Sequence, residues 1–261
     1  SVSWRPMASC PRKRWALSRC RRRPRSEPLV PSWELCQIDG ALVLQPLSGL
    51  AQGVVRVDFV TGRTAYRIRR GGGRKGELAR AIGIPRANRG LRVLDLTAGL
   101  GRDTFLLASW GCAVLALERH PMIHALLADG LRRAWADPET AALLDDDPQR
   151  LQLLEADARE YLKTIAPSDF DVLYLDPMHP SRQKSAKVRK EMQAFQEVVG
   201  SDSDDAELLA VARASGVARV VVKRPVKSDL LAPGVAFSQK GKTVRYDVYL
   251  LPRVGETESL D

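Results

Sequence analysis

Val93-Leu94-Asp95-Leu96-Thr97-Ala98-Gly99-Leu100-Gly101-Arg102-Asp103 is the stretch on which the fold turns. Its first half, Leu91–Leu96, is nearly all apolar and reads as a buried strand. A glycine-rich turn follows, and Asp103–Trp110 is then apolar at helical spacing. Gly99 and Gly101 lack the Cβ atoms that would block a ligand from the backbone, and the helix N-terminus presents unpaired N–H groups. A lone G-x-G also serves plain strand-to-helix connections, so the flanking segments have to decide what this one is for.

Outward from that stretch the texture alternates. Strands are expected at Ala113–Leu117, Leu151–Leu154, Asp171–Leu175, Ala218–Val222 and Val244–Leu251. Helices are expected at Pro121–Ala134, Lys187–Val198 and Asp205–Ala214. Strands alternating with crossover helices imply a mostly parallel sheet with helices on both faces, an α/β Rossmann-like domain placed here at residues 76–261. Before it, Ala41–Leu44, Val54–Val60 and Thr64–Ile68 are short apolar stretches separated by Gly40, Gly49, Gly53 and Gly62. That pattern predicts a small β-rich domain of three or four strands over residues 29–75, joined through Gly71-Gly72-Gly73 to a helix at Glu77–Ile82.

Glu118 ends the second strand of the α/β domain, seventeen residues beyond Gly101. An acid there suits bidentate hydrogen bonding to ribose hydroxyls. A dinucleotide fingerprint would carry a third glycine where Asp103-Thr104 follows Arg102, and Asp103 at a helix N-terminus would repel a pyrophosphate. An acid beside the glycines suits a ligand bearing an ammonium and a sulfonium, which favours S-adenosylmethionine over NAD. Asp157, after the third strand, could accept from an adenine amino group or merely cap a helix. The most informative string is Tyr174-Leu175-Asp176-Pro177-Met178-His179-Pro180. Ligands sit at the carboxyl ends of parallel strands, so Asp176 would project into the crevice above a turn stiffened by prolines. It resembles the Asp/Asn-Pro-Pro-aromatic motif of amino-group methyltransferases. An exocyclic amine shares its lone pair with its ring and attacks only when positioned and polarised by such an acceptor. His179 stands in the aromatic position, where an imidazole can stack on a base.

Charge points the same way in part. The 261-residue chain has a net charge of +10, but nine of its 41 Lys and Arg and one of its 31 acids lie in residues 1–28. The remainder is nearly balanced, so the overall charge says little about the body. The Arg-rich tail is either a phosphate-binding arm or, as its composition favours, a disordered extension. Nearer the expected crevice, Ser181–Lys190 carries five cations, Lys184 and Lys187 among them, and Lys223-Arg224 ends the fifth strand. These four side chains are the candidates for RNA phosphates. His120 and His124 stand four apart, yet no third ligand accompanies them and no metal is expected. Cys10, Cys20, Cys36 and Cys112 form no CxxC pair, and no run of about 18 apolar residues exists. No secretory signal and no membrane span are expected, and a reducing cytoplasm fits.

Taken in order, Gly71-Gly-Gly-Arg74, Asp95–Asp103, Leu117-Glu118-Arg119, Asp176–Pro180, Gln183–Ala186 and Val220–Pro225 resemble the bacterial small-subunit ribosomal RNA guanine-N2 methyltransferase family, RsmJ. The likeness spans about residues 33–251. It implies a class I methyltransferase fold with Arg102, Asp103, Glu118, Arg119, Asp157 and Asp176 bordering S-adenosylmethionine, and Asp95, Gly99, Gly101 and Ala158 complete the expected cofactor set. At 157–158 family members can carry a serine pair. His179 departs from the usual Asp-Pro-Met-Phe-Pro turn. By resemblance the target is the N2 amine of the guanine numbered 1516 in small-subunit RNA, with Asp176, Pro177 and His179 at the reacting amine. Two rivals differ in class: an amino-methyltransferase acting on a DNA base or protein amide, and a non-catalytic RNA-binding assembly factor.

Overall fold

The computed structural model describes residues 33–47, 54–69, 73–84, 90–177 and 204–252. The Arg-rich tail, His179, Lys184, Lys187 and the expected helix at 187–198 lie outside them.

Strands β3 (Arg92–Asp95), β4 (Ala113–Glu118), β5 (Leu151–Glu155), β6 (Val172–Leu175) and β7 (Arg219–Pro225) run parallel. Strand β9 (Val244–Leu250) is antiparallel to β7, and β8 (Phe237–Lys240) is antiparallel to β9. The sheet order is β5-β4-β3-β6-β7-β9-β8. From β3 the chain winds outward to β4 and β5, then returns to β6 on the other side. The switch point, where parallel sheets leave a crevice, therefore lies between β3 and β6 at their carboxyl ends. Every residue of β6 is buried, as a strand covered on both faces must be.

Alternation divides these strands between two cores. Val93, Val172, Tyr174 and Val221 join the core under α3 (Arg102–Ser109) and α4 (Pro121–Ala136). Leu94, Leu173, Leu175, Val220 and Val222 join the one under α6 (Ala158–Tyr161) and α7 (Asp205–Ala214). Helix starts follow local chemistry. Pro121 stands at the first turn of α4, where its missing N–H costs nothing. Asp137 caps α5 (Pro138–Ala142) by accepting from Thr140 N at 2.9 Å, and Asp157 caps α6 by accepting from Arg159 N at 2.9 Å. Beyond β7 the chain is tied down by buried Arg245. Its Nε donates to both Asp247 oxygens (2.9 and 3.0 Å), and its terminal nitrogens donate to the carbonyls of Pro225, Val226, Ser228 and Asp229.

The N-terminal region departs from the sequence expectation. Strands β1 (Trp33–Ile38) and β2 (Ala41–Pro46) form a hairpin over Asp39-Gly40, both with positive φ (51° and 74°), as a tight two-residue turn requires. Val54–Val60 contributes only an isolated bridge, Leu44 to Val55, and the expected strand at Thr64–Ile68 is part of helix α1 (Gly62–Arg69). The β-branched and aromatic residues of Thr64–Ile68 suggest period two, but Ala65 and Ile68 are the buried pair, a helical spacing. Asp58 starts the turn into α1 by accepting from Val60 N (3.0 Å), Thr61 N (2.9 Å) and the Thr61 hydroxyl (2.6 Å).

This region shares its core with α3 and α4. Phe59 stacks on Phe105 with ring centroids 4.3 Å apart. A Cβ added at Gly130 of α4 would lie 2.4 Å from Val57 Cγ1, so the helix and the N-terminal segment touch where only glycine fits. Asp129 accepts from Leu42 N at 3.0 Å and from Arg133, which also donates to the Val57 carbonyl. Helix α2 (Glu77–Ile82) ends at Gly83 in the left-handed conformation and packs on β8 and β9. Among the described residues no helix is long and apolar enough to cross a membrane.

Candidate active site

Four loops meet at the switch point. The turn after β3 is built by Asp95, whose Oδ2 accepts from the Thr104 hydroxyl at 2.5 Å and whose Oδ1 accepts from Thr97 N at 3.1 Å. Asp95 is fully buried, and burial, with Asp103 and Asp176 adding repulsion, pushes its carboxyl up to about 7. It shapes the glycine loop from beneath and does not line the cleft. Gly99 and Gly101 both adopt positive φ (55° and 70°). A Cβ on Gly101 would stand 2.4 Å from Leu127 Cδ1 and 3.3 Å from Phe59 Cζ, so this glycine makes room for the core rather than for a ligand.

Glu118 ends β4, almost wholly buried. Its Oε2 accepts from Gly99 N at 2.9 Å and its Oε1 from His120 N at 2.8 Å. Two backbone donors thus fix the carboxylate's plane at the end of β4. The cleft beside it is lined by Leu96, Thr97, Gly99, Glu118, Arg119, Asp157, Ala158, Asp176 and Pro177, among others. Fixed carboxylates at a strand end, a glycine backbone and apolar Leu96, Leu117 and Leu208 suit a nucleoside bearing a cationic tail. Asp157 sits under Arg159, whose side chain hydrogen-bonds both its oxygens (3.1 and 2.8 Å) and holds the carboxyl below its usual range. Arg159 reaches on to Asp204 and Glu207, both at 3.1 Å, and so ties α6 to α7 across the cleft mouth. Arg119 approaches the same Asp204 at 3.7 Å.

Asp176 follows β6. Its backbone N–H donates to Thr97 Oγ1 at 2.7 Å, which locks the two loops of the switch point together. The register pairs Tyr174 with Val221 and Leu175 with Val222, and its continuation sets Asp176 beside Lys223. Lys223 Nζ lies 2.7 Å from Asp176 Oδ2 and 2.7 Å from Asp103 Oδ2, and Asp103 Oδ2 also accepts from the Tyr174 hydroxyl at 2.6 Å. Burial alone would lower the lysine's pKa, but the two carboxylates outweigh it and hold the ammonium well above its ordinary range.

Two residues expected to meet RNA phosphates hold partners within the chain. Lys223 spends its charge on Asp103 and Asp176. Arg224, one residue on, points to the opposite face and is 8% exposed, with Nη2 donating to the Asp229 carbonyl at 3.2 Å. Asp103, expected near the cofactor's ammonium, is turned to Tyr174 and Lys223, and exposed Arg102 begins α3 outside the cleft lining. Thr97, Thr104, Tyr174 and Arg159 were not singled out in the sequence. Thr97, between Asp95 and Gly99, could have been found by its hydroxyl in an otherwise apolar and glycine loop.

Known proteins agree with this geometry. A family model described as "Putative SAM-dependent methyltransferase" matches residues 27–251. A ribosomal RNA small subunit methyltransferase J of Haemophilus ducreyi is 46% identical over 222 residues, covering 85% of this chain and 86% of that protein. The protein of the same name from Hahella chejuensis is 48% identical, covering 78% and 75%. The crystal structure of a SAM-dependent methyltransferase from Neisseria gonorrhoeae superposes with a TM-score of 0.65 at 32% identity, over 90% of this chain and 89% of that one. A switch-point cleft lined by Glu118, together with likeness of this extent, establishes S-adenosylmethionine as the cofactor and methyl transfer as the activity. The chain belongs to the family of SAM-dependent methyltransferases that contains the ribosomal RNA small subunit methyltransferases J.

Proposed function

We propose that this methyltransferase acts on small-subunit ribosomal RNA, in the cytoplasm, and that its target is the exocyclic N2 amine of a guanine. The observation that carries the reading is the placement of Asp176: at the carboxyl end of β6, on the switch-point cleft, 38% exposed, and fixed on its inner side by Lys223. An acceptor held there can take a hydrogen bond from one amine N–H and aim the nitrogen lone pair into the cleft. Pro177, next in the chain, has its own φ fixed by its ring.

When bound, S-adenosylmethionine supplies an already activated methyl group, so the protein's work is positioning. Glu118 takes the ribose hydroxyls, and Gly99 lets the backbone come close. Arg119, Asp157 and Ala158 line the far end of the cleft, where the nucleobase of the cofactor would lie. His179 stacking on the target base, and Lys184 and Lys187 on RNA phosphates, complete the reading from residues outside those described.

The test is methyl incorporation into unmodified small-subunit RNA, with DNA and total protein as parallel acceptors. Asp176→Ala should lower turnover by at least about 100-fold with SAM binding kept. Near-normal turnover in that variant, or equal methylation of DNA or protein, would sink the assignment.

A further inference from the structure

We infer that Lys223 is a positioning residue for methyl transfer: clamped between Asp103 and Asp176, it sets the Asp176 carboxylate toward the amine rather than touching RNA itself. The inference rests on the Asp176 reading above.

The geometry carries it. One ammonium stands 2.7 Å from a carboxylate oxygen on each side. The anchor is rigid because Asp103 lies in the first turn of α3 and accepts from buried Tyr174, and Lys223 lies in β7, hydrogen-bonded on both flanks by β6 and β9. Without Lys223 the cluster would hold three acids at close quarters: Asp95 from β3, Asp103 from α3 and Asp176 from β6. Among the described residues, Tyr174 and Tyr246 also act on the cluster, and neither supplies positive charge. The lysine thus cancels a repulsion that would turn Asp176 away or load it with a proton.

The experiment compares Lys223→Met with the wild type in methyl transfer to unmodified small-subunit RNA, across pH and salt, with SAM affinity measured by calorimetry. Expected is a fall in kcat of about 100-fold, with KM for RNA and affinity for SAM changed less than about threefold. The acidic limb of the kcat profile should move to higher pH, by at least tenfold in proton concentration, because Asp176 loses its counter-charge. A raised KM with kcat kept and a flatter salt dependence would identify a phosphate contact and overturn the inference, as would a kcat within twofold of wild type. If Lys223→Met has no cooperative melt, Asp103→Asn carries the test. It leaves the lysine wholly to Asp176 and should move the acidic limb the opposite way, and an unmoved limb overturns the inference. Asp176→Ala in the same assay separates the two readings. Loss there with normal Lys223→Met refutes only the lysine's role, whereas normal Asp176→Ala refutes the Asp176 reading itself.

Discussion

Replacing Gly101 with alanine distinguishes two reasons for a glycine in the cofactor loop. At φ of +70°, an L-residue carries a cost of about 1–2 kcal/mol. The new methyl would start 2.4 Å from Leu127 Cδ1 and 3.3 Å from Leu127 Cδ2 and Phe59 Cζ, and overpacking of that kind costs about 1–3 kcal/mol more. Together these come to about 2–5 kcal/mol, or roughly 5–15 °C in Tm for a chain of this size. Denaturant titration of Gly101→Ala, Leu127→Ala and the double variant isolates the contact. Leu127→Ala alone should cost about 2–5 kcal/mol through its cavity. The double variant should cost less than the sum by about 1–2 kcal/mol, since the added methyl fills space the leucine left. Additivity within about 0.5 kcal/mol would refute the packing argument. So would a Gly101→Ala protein of wild-type stability that no longer binds S-adenosylmethionine, which is what a ligand-approach glycine predicts.

Asp95 gives a pH signature. Its native carboxyl titrates at about 7 against an ordinary 3.8, so between those values the native state binds more protons than the unfolded one. Its stabilising share is complete below about pH 4 and is lost as pH rises toward 7, and in Asp95→Asn that downward slope should be absent when urea titrations at the two ends are compared. A variant slope equal to the wild type's would refute the assignment. Arg245→Met should cost about 3–5 kcal/mol in denaturant titration by leaving Asp247 charged and buried, and Asp247→Leu on the same background should restore part of it. No recovery in the double variant would mean that the lost loop carbonyls, not the stranded charge, set the cost.

The α/β domain was legible because its strands are continuous apolar runs punctuated by glycine, and six of them appear where periodicity sets them. Asp176 and Glu118 were legible for a related reason: a polar residue ending a buried strand has few places to point except the crevice. The partners that Lys223 and Arg224 hold within the chain were not legible by the same rule. A strand end fixes which face a side chain takes, but what waits there is α3 for Lys223 and the Asp229 segment for Arg224, which a local pattern does not reveal. Thr64–Ile68 was misread because β-branched and aromatic residues favour strands locally, whereas Asp58 and the burial of Ala65 and Ile68 on the shared core select a helix. Gly101 was legible as a necessary glycine but not for its cause, since Leu127 lies 26 positions away in the sequence.

The packing of the N-terminal segment on α4 has a consequence for biosynthesis. Leu42 donates to Asp129 across 87 positions, and Val57 seats against Gly130. At about 5–20 residues per second, the ribosome takes roughly 4–17 s to deliver α4 after the hairpin has been made. For that interval Val43, Leu44, Val55, Val57 and Phe59, all buried in the finished enzyme, have no native surface to cover them. The growing chain thus depends, seconds at a time, on whatever shields apolar side chains at the tunnel exit.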